Sequence, residues 1–174
     1  MEDESIYVTA GIYPDVPTAQ TILDQVKQLD REHTISVMDL ALVTRSTDDK
    51  LIVEETKQVT SRKGAVRGGL ILGLVGAAFP PALIGSVIAG AGFGALIGRI
   101  RDTGIKKDEM ERIADLLQSG NAAVVVLVNG QWKQQVDEIL QARGGRLLTY
   151  DLGPVTSANL AQLAAEYPAA TMYL

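Results

Sequence analysis

Residues 64–98 limit what this chain can fold into more than any other stretch. They hold ten of the 17 glycines, both phenylalanines and a single charged residue, Arg67. Phe79, Pro80 and Pro81 divide the stretch into two apolar arms, because proline cannot continue a helix and disfavours helical geometry in the residue before it. The stretch therefore predicts a helical hairpin with Phe79, Pro80 and Pro81 at its turn.

The glycines of this stretch recur four residues apart. Glycine is a poor helix former in water, so its density here indicates a packing role rather than helix propensity. A spacing of four leaves one helix face without side chains, and a second backbone can approach closely there. The predicted helix-packing and oligomerisation residues are Gly64, Gly68, Gly69, Gly73, Gly90, Gly94 and Gly98.

Charge is distributed unevenly around the predicted hairpin. Residues 57–107 carry eight basic residues and one acidic residue, a net charge of +7. Since the whole chain has a net charge of −5, the remaining residues together carry −12. A basic border beside an apolar hairpin is typical of a membrane protein whose acidic body stays in the cytoplasm. Basic residues that only solubilise the loops around a buried hairpin would give the same pattern. The residues of this predicted basic collar are Arg62, Lys63, Arg67, Arg99 and Arg101.

The lengths of the two arms bear on whether the hairpin crosses a membrane. The second arm, residues 82–98, has 17 residues without a charge, near the short limit of about 17–25 for a spanning helix. The first arm, residues 68–79, has 12, which make roughly 18 Å of helix against a hydrocarbon core of about 30 Å. These lengths favour a shallow or re-entrant hairpin over two complete membrane crossings. They are equally compatible with two arms that bury one another inside a soluble homo-oligomer.

The remainder of the chain predicts an α+β body. Strands are predicted from β-branched or continuously apolar composition, and helices from apolar residues at helical spacing. The predicted strands are residues 6–13, 34–44, 51–53, 122–128 and 147–152, and the predicted helices are residues 16–30, 110–117 and 132–140. With the hairpin removed, the order β-α-β-β-α-β-α-β indicates a ferredoxin-like sheet with its helices on one face.

This interpretation divides the chain into three parts. The α+β ferredoxin-like body is predicted to comprise residues 1–58 and 104–153, and the glycine-zipper helical hairpin is an insertion of residues 59–103. Residues 154–174 follow as a C-terminal helix and tail. The helix is expected to start at Thr156 or Ser157 and to stop before Pro168, and residues 169–174 receive no assignment.

No set of residues specifies a reaction, a cofactor or a metal. Without cysteine, thiol catalysis is excluded. No His-based triad is predicted either, because the single histidine, His33, lies in a polar turn where it is expected to be solvated. Asp39 and Asp151 lie in apolar strands, where accepting backbone N–H bonds at a strand end is favoured over acting as an acid. Residues 90–95 match the dinucleotide fingerprint G-x-G-x-x-A, but the prolines before them and the glycines around them do not fit a βαβ unit.

Six segments follow one another in an order that resembles a known family. They are the first βαβ unit, the strand of residues 39–43 with the charged turn and residues 53–56 after it, the glycine-rich hairpin broken by Pro80-Pro81, and residues 102–105, 121–123 and 144–148. The order resembles domain-of-unknown-function family 1269, a bacterial family of uncharacterised membrane proteins. The resemblance covers about residues 5–152, leaving out the helix and tail after Gly153. It implies a ferredoxin-like body and membrane association, and it implies no reaction and no catalytic residues.

Together these features predict a non-enzymatic protein that associates with itself through the hairpin, in or on the inner membrane, with its body in the cytoplasm. The expected partners are further copies of the chain and membrane lipid, whereas the acidic body argues against nucleic acid. One alternative is a soluble, cytoplasmic structural or stress protein that self-assembles with the hairpin as its core. A second alternative is a ligand-binding or enzymatic body that the hairpin anchors.

Overall fold

A computed structural model describes residues 5–55, 57–59, 71, 75, 84–86, 107–118, 120–158 and 169–173. The elements in chain order are β1 (Ile6–Tyr13), α1 (Val16–Arg31), β2 (Asp39–Arg45), β3 (Leu51–Glu55), β4 (Lys57–Val59), β5 (Ile84–Ser86), α2 (Lys107–Leu116), β6 (Ala122–Asn129), α3 (Gly130–Gln141), β7 (Arg146–Asp151) and β8 (Ala169–Tyr173). A 3-10 turn, Ala142–Gly144, joins α3 to β7. The α+β class predicted from the sequence is confirmed.

The main sheet has the strand order β5-β3-β2-β6-β1-β7. From β3 to β7 all neighbours are antiparallel, and β5 joins the edge of β3 in parallel. The central strand β6 lies between β1 and β2 and is buried from Ala122 to Val128, as its continuous apolar run predicted. Strand β2 is also interior, but it begins at Asp39 rather than at residue 34. The residues before β2 instead form a loop that is hydrogen-bonded to the end of α1, where the Asp30 carboxylate accepts the Val37 N–H at 3.0 Å.

Helices α1 and α3 cover one face of this sheet. Asp15 caps α1 by accepting the Thr18 N–H at 2.7 Å, which satisfies one of the donors that a helix start leaves open. Helix α1 buries four of the apolar residues whose helical spacing predicted it, Ala19, Ile22, Leu23 and Val26, whereas Val16 at its start is 40% exposed. From α3, Val136 and Leu140 join the same apolar cluster. This layer holds the middle of the sheet from one side.

Helix α2 covers the opposite face, so the prediction that all helices lie on one face is wrong. Ile113, Ala114 and Leu117, at and just after the end of α2, pack into a second apolar cluster with residues of β1, β2, β3 and β6. The physical reason lies in the strands themselves, because β1, β2 and β6 carry apolar side chains on both faces and both faces must be shielded from water.

The C-terminal region differs from its prediction in two ways. Helical structure is described for residues 153–158, starting three residues before Thr156, and the rest of the predicted helix lies outside the described residues. The tail that received no assignment forms β8, which pairs antiparallel with β4: Lys57 lies opposite Tyr173 and Val59 opposite Ala169. The end of the chain is thus tied to the strand that leads into the insertion.

Candidate functional site

The described part of the insertion lies against the body. Ile71 and Val75, one helical turn apart, are 0% and 3% exposed and belong to the same apolar cluster as α2 and the strands beneath it. Val43, Leu51 and Val125 of the sheet belong to that cluster too. At these two positions, the first arm therefore forms part of the core of the body.

A buried carboxylate joins this arm to the sheet. Asp39, the first residue of β2, is fully buried, and its Oδ2 atom accepts the backbone N–H of Ile71 at 2.7 Å. Its Oδ1 atom accepts the N–H of Leu40 at 2.9 Å. Asp151, exposed at the end of β7, accepts the N–H of Gly153 at 2.8 Å. The structural role predicted for both aspartates is confirmed, and Asp39 also fixes the insertion.

The second arm is not one continuous helix, which corrects the prediction for residues 82–98. Ile84–Ser86 form β5, with Ile84 opposite Leu51 and Ser86 opposite Ile52 of β3. The backbone N–H and C=O groups on the open side of β3 need hydrogen-bond partners, and the backbone of β5 supplies them. Strand β5 begins with a β-branched residue, Ile84. The uncharged run that follows β5, residues 87–98, has 12 residues.

The predicted oligomerisation, turn and basic-collar residues themselves lie outside the described residues. They are Gly64, Gly68, Gly69, Gly73, Gly90, Gly94, Gly98, Phe79, Pro80, Pro81, Arg62, Lys63, Arg67, Arg99 and Arg101. Residues 90–95, which match the dinucleotide fingerprint, lie outside them as well. Within the part of the chain that the structure describes, no helix combines the length and the apolar character needed to cross a membrane. The same part holds no cluster of metal-ligating side chains. His33 is exposed, as expected from its polar turn, and its backbone adopts a left-handed conformation.

A polar cluster that the sequence did not reveal fastens α3 to the sheet. The Thr9 hydroxyl donates to Asp137 Oδ1 at 2.8 Å and lies 2.9 Å from the hydroxyl of Thr149. Lys133, one turn before Asp137 on α3, donates to the other carboxylate oxygen at 2.5 Å and lies over the ring of Tyr7. These groups satisfy one another's hydrogen-bonding capacity across three elements. The cluster therefore has a structural role and leaves no reactive group open to a ligand.

Tyr13 forms a second buried polar contact with α3. Its hydroxyl donates to the carbonyl oxygen of Leu140 at 2.5 Å, near the end of α3. Its ring occupies the space beside Gly11 and Gly145, and a Cβ atom added at Gly145 would lie 2.6 Å from the ring. Burial raises the pKa of Tyr13 to about 12, so the phenol stays neutral and remains a donor.

A cleft of about 280 Å³ opens where β1 ends and where β6 and β7 begin. Among the described residues, its apolar lining includes Ile12, Tyr13, Pro14 and Leu116, and its polar lining includes Asp115, Gln118, Asn121 and Arg146. No motif in the sequence connects these residues, since they come from β1, the end of α2, the loop before β6 and the start of β7. The fold alone brings them together.

A family model described as protein of unknown function (DUF1269) matches residues 65–165, which is more than half of the chain. The chain belongs to the DUF1269 family. Comparisons with curated proteins and with solved structures gave no match. The DUF1269 match extends past Gly153, so the expectation that the helix after this residue falls outside the family was wrong.

The DUF1269 match divides the sites described above. It contains Ile71, Val75 and β5, which dock the insertion, and it contains Asn121 and Arg146 of the cleft. Strand β1, helix α1 and Asp39 precede it. The family model therefore covers the insertion from residue 65 onward together with the half of the body that follows it, while the first half of the sheet comes from residues outside the match.

Proposed function

We propose that this protein is non-enzymatic and self-associating, and that its glycine-rich insertion, docked on the α+β body, forms the contact between copies. The observation that carries the proposal is the docking itself. Ile71 and Val75 lie in the core, Asp39 binds the backbone at Ile71, and β5 belongs to the sheet. An insertion held at these points is positioned by the body, so contacts between insertions would also orient the bodies.

The segment after β5 has the composition of a helix-packing surface. Residues 87–98 contain no charged side chain, and Gly90, Gly94 and Gly98 recur at the spacing of one helix face. As a helix, this segment would be about 18 Å long, against a hydrocarbon core of about 30 Å. Its length supports contact with another protein segment over a membrane crossing, and its glycines support the close backbone approach of a glycine zipper.

We also propose that the body is ferredoxin-like. The strand order β2-β6-β1-β7 supports this, because β6 lies between the two strands that α1 connects. The helices α1 and α3 on one face support it as well. Strand β3, the insertion and α2 would then be additions between β2 and β6. Strand β3 extends the sheet, and α2 with Ile71 and Val75 packs on the face that such a sheet leaves open.

The zipper is tested by adding bulk to the glycine face and, as a matched control, to the opposite face. Gly94→Leu places an isobutyl group on the proposed contact, whereas Ala89→Leu places one about 140° away around the same helix. We expect sedimentation equilibrium to give an oligomer for the wild type and Ala89→Leu, and a smaller species for Gly94→Leu with an unchanged circular dichroism spectrum. An unchanged mass for Gly94→Leu, or an equal loss in both variants, would contradict the proposal.

Association with the inner membrane, with the body in the cytoplasm, is the second candidate, and the basic collar supports it. Basic residues beside an apolar segment attract anionic lipid headgroups, each contributing about 1 kcal/mol near the surface. If the insertion stays docked on the body, membrane-bound protein should be released by high salt or by a carbonate wash. Protein that remains in washed membranes and needs detergent would show that the insertion leaves the body and enters the lipid.

A further inference from the structure

The polar side chains of the cleft between β1, α2 and β7 are not used by the fold. Asp115 and Arg146 are both exposed and both line the cleft. In the described part of the chain, they form no ion pair with each other, and the side chains of Gln118 and Asn121 make no hydrogen bond. A carboxylate and a guanidinium on one cleft that do not neutralise each other leave two opposite charges available to a third molecule.

The two charged groups occupy different environments within the cleft. Asp115 lies at the end of α2, where the last carbonyl groups carry partial negative charge and favour a cation. Arg146 begins β7, and its planar guanidinium suits a carboxylate that accepts two parallel hydrogen bonds. The Asn121 side chain, also in the lining, offers a further donor. Asp115 therefore favours an ammonium group, and Arg146 favours a carboxylate.

The apolar lining and the volume limit the size of the ligand. Pro14, Leu116 and the small exposed part of Ile12 supply an apolar surface for a short carbon skeleton. A volume of about 280 Å³ lies just below the range of roughly 300–1,000 Å³ typical of pockets for drug-sized molecules. We infer that this cleft binds a small zwitterion of the free amino acid class, with its carboxylate on Arg146 and its ammonium group on Asp115.

This inference does not depend on self-association, because the described lining residues all belong to the body. It is tested on the full-length protein with a panel of free amino acids, by thermal shift and then by calorimetry for the best binder. A ligand that binds the folded state alone raises the melting temperature. We expect the α-hydroxy acid that lacks the ammonium group, and the amine that lacks the carboxylate, each to bind at least about tenfold more weakly, since each loses one charge-assisted contact.

Variants assign the two contacts. We expect Arg146→Gln and Asp115→Asn each to weaken binding by about tenfold or more, while Arg143→Gln and Asp108→Asn, exposed positions that do not line the cleft, leave it unchanged. All four variants should keep the native mass of the wild type, which separates this result from the zipper test. Absence of binding by every amino acid would overturn the inference. Binding of the hydroxy acid as tightly as the amino acid would also overturn it, because the ammonium group would then make no contact. A weaker affinity in Arg146→Gln with an unchanged affinity in Asp115→Asn would overturn it for the same reason, since the cleft would then be a simple anion site.

Discussion

The buried carboxylate of Asp39 holds two backbone donors at once, and its replacement by the isosteric amide tests how the insertion is docked. In Asp39→Asn, one oxygen remains as an acceptor while the other becomes an NH₂ group that faces an N–H. One of the two donors, on Leu40 or Ile71, then loses its acceptor in a buried site. A buried donor left unsatisfied costs about 1–3 kcal/mol. We predict a loss of this size in the free energy of unfolding.

The magnitude can be checked in two ways. For a chain of this length, 1 kcal/mol corresponds to about 2–4 °C, so a loss of about 2 kcal/mol should lower the melting temperature by about 4–8 °C. Asp151→Asn is the matched control, because its carboxylate makes a similar bond, to the Gly153 N–H, but is exposed. The control should lose no more than about 0.5 kcal/mol in urea unfolding. Hydrogen exchange should also become faster in Asp39→Asn at the peptide that contains Ile71.

Two results would refute this reasoning. Equal stability of Asp39→Asn and Asp151→Asn would show that the buried carboxylate contributes no more than an exposed one. A large loss of stability without faster exchange around Ile71 would show that Asp39 supports β2 and not the insertion.

Two further predictions concern core packing and alkaline pH. Ile71→Ala should lower the free energy of unfolding in urea by about 2–5 kcal/mol, because Ile71 is buried. Val155→Ala, at a position 71% exposed, should leave this free energy almost unchanged. Equal losses in the two variants would show that Ile71 does not lie in the core. The pKa of Tyr13 rises from 10.0 to about 12 on folding, so the unfolded chain loses this proton first as pH rises. Stability should therefore fall between about pH 10 and 12, by on the order of 2 to 3 kcal/mol, and Tyr13→Phe should lack this part of the loss; parallel pH profiles would contradict it.

Features with a local cause could be predicted from the sequence. The cap at Asp15 and the buried positions of α1 follow from neighbouring residues, and the apolar run of β6 requires burial wherever the strand lies in the sheet. The structural role of Asp39 and Asp151 followed from a general rule, that a carboxylate in an apolar strand must find donors. These predictions needed no knowledge of which segments meet.

Features that depend on distant segments could not be predicted. Ile84–Ser86 lies in an apolar run that was predicted to be helical from its glycine spacing, and it forms a strand because the edge of β3 is open beside it. The position of α2 depends on which sheet face α1 and α3 leave uncovered. Thr9 and Asp137, 128 residues apart, give no joint signal in one sequence. The cleft likewise combines residues from four separate segments.

Cross-linking between copies tests the proposed contact most directly, and the chain suits it because it contains no cysteine. Ala91→Cys places a thiol beside the glycine face of residues 90–98, and Ala89→Cys places one on the opposite side of the same predicted helix. Under mild oxidation of the full-length protein, we predict covalent dimers for Ala91→Cys and few for Ala89→Cys. No dimer in either variant, or equal amounts in both, would contradict self-association through the glycine face.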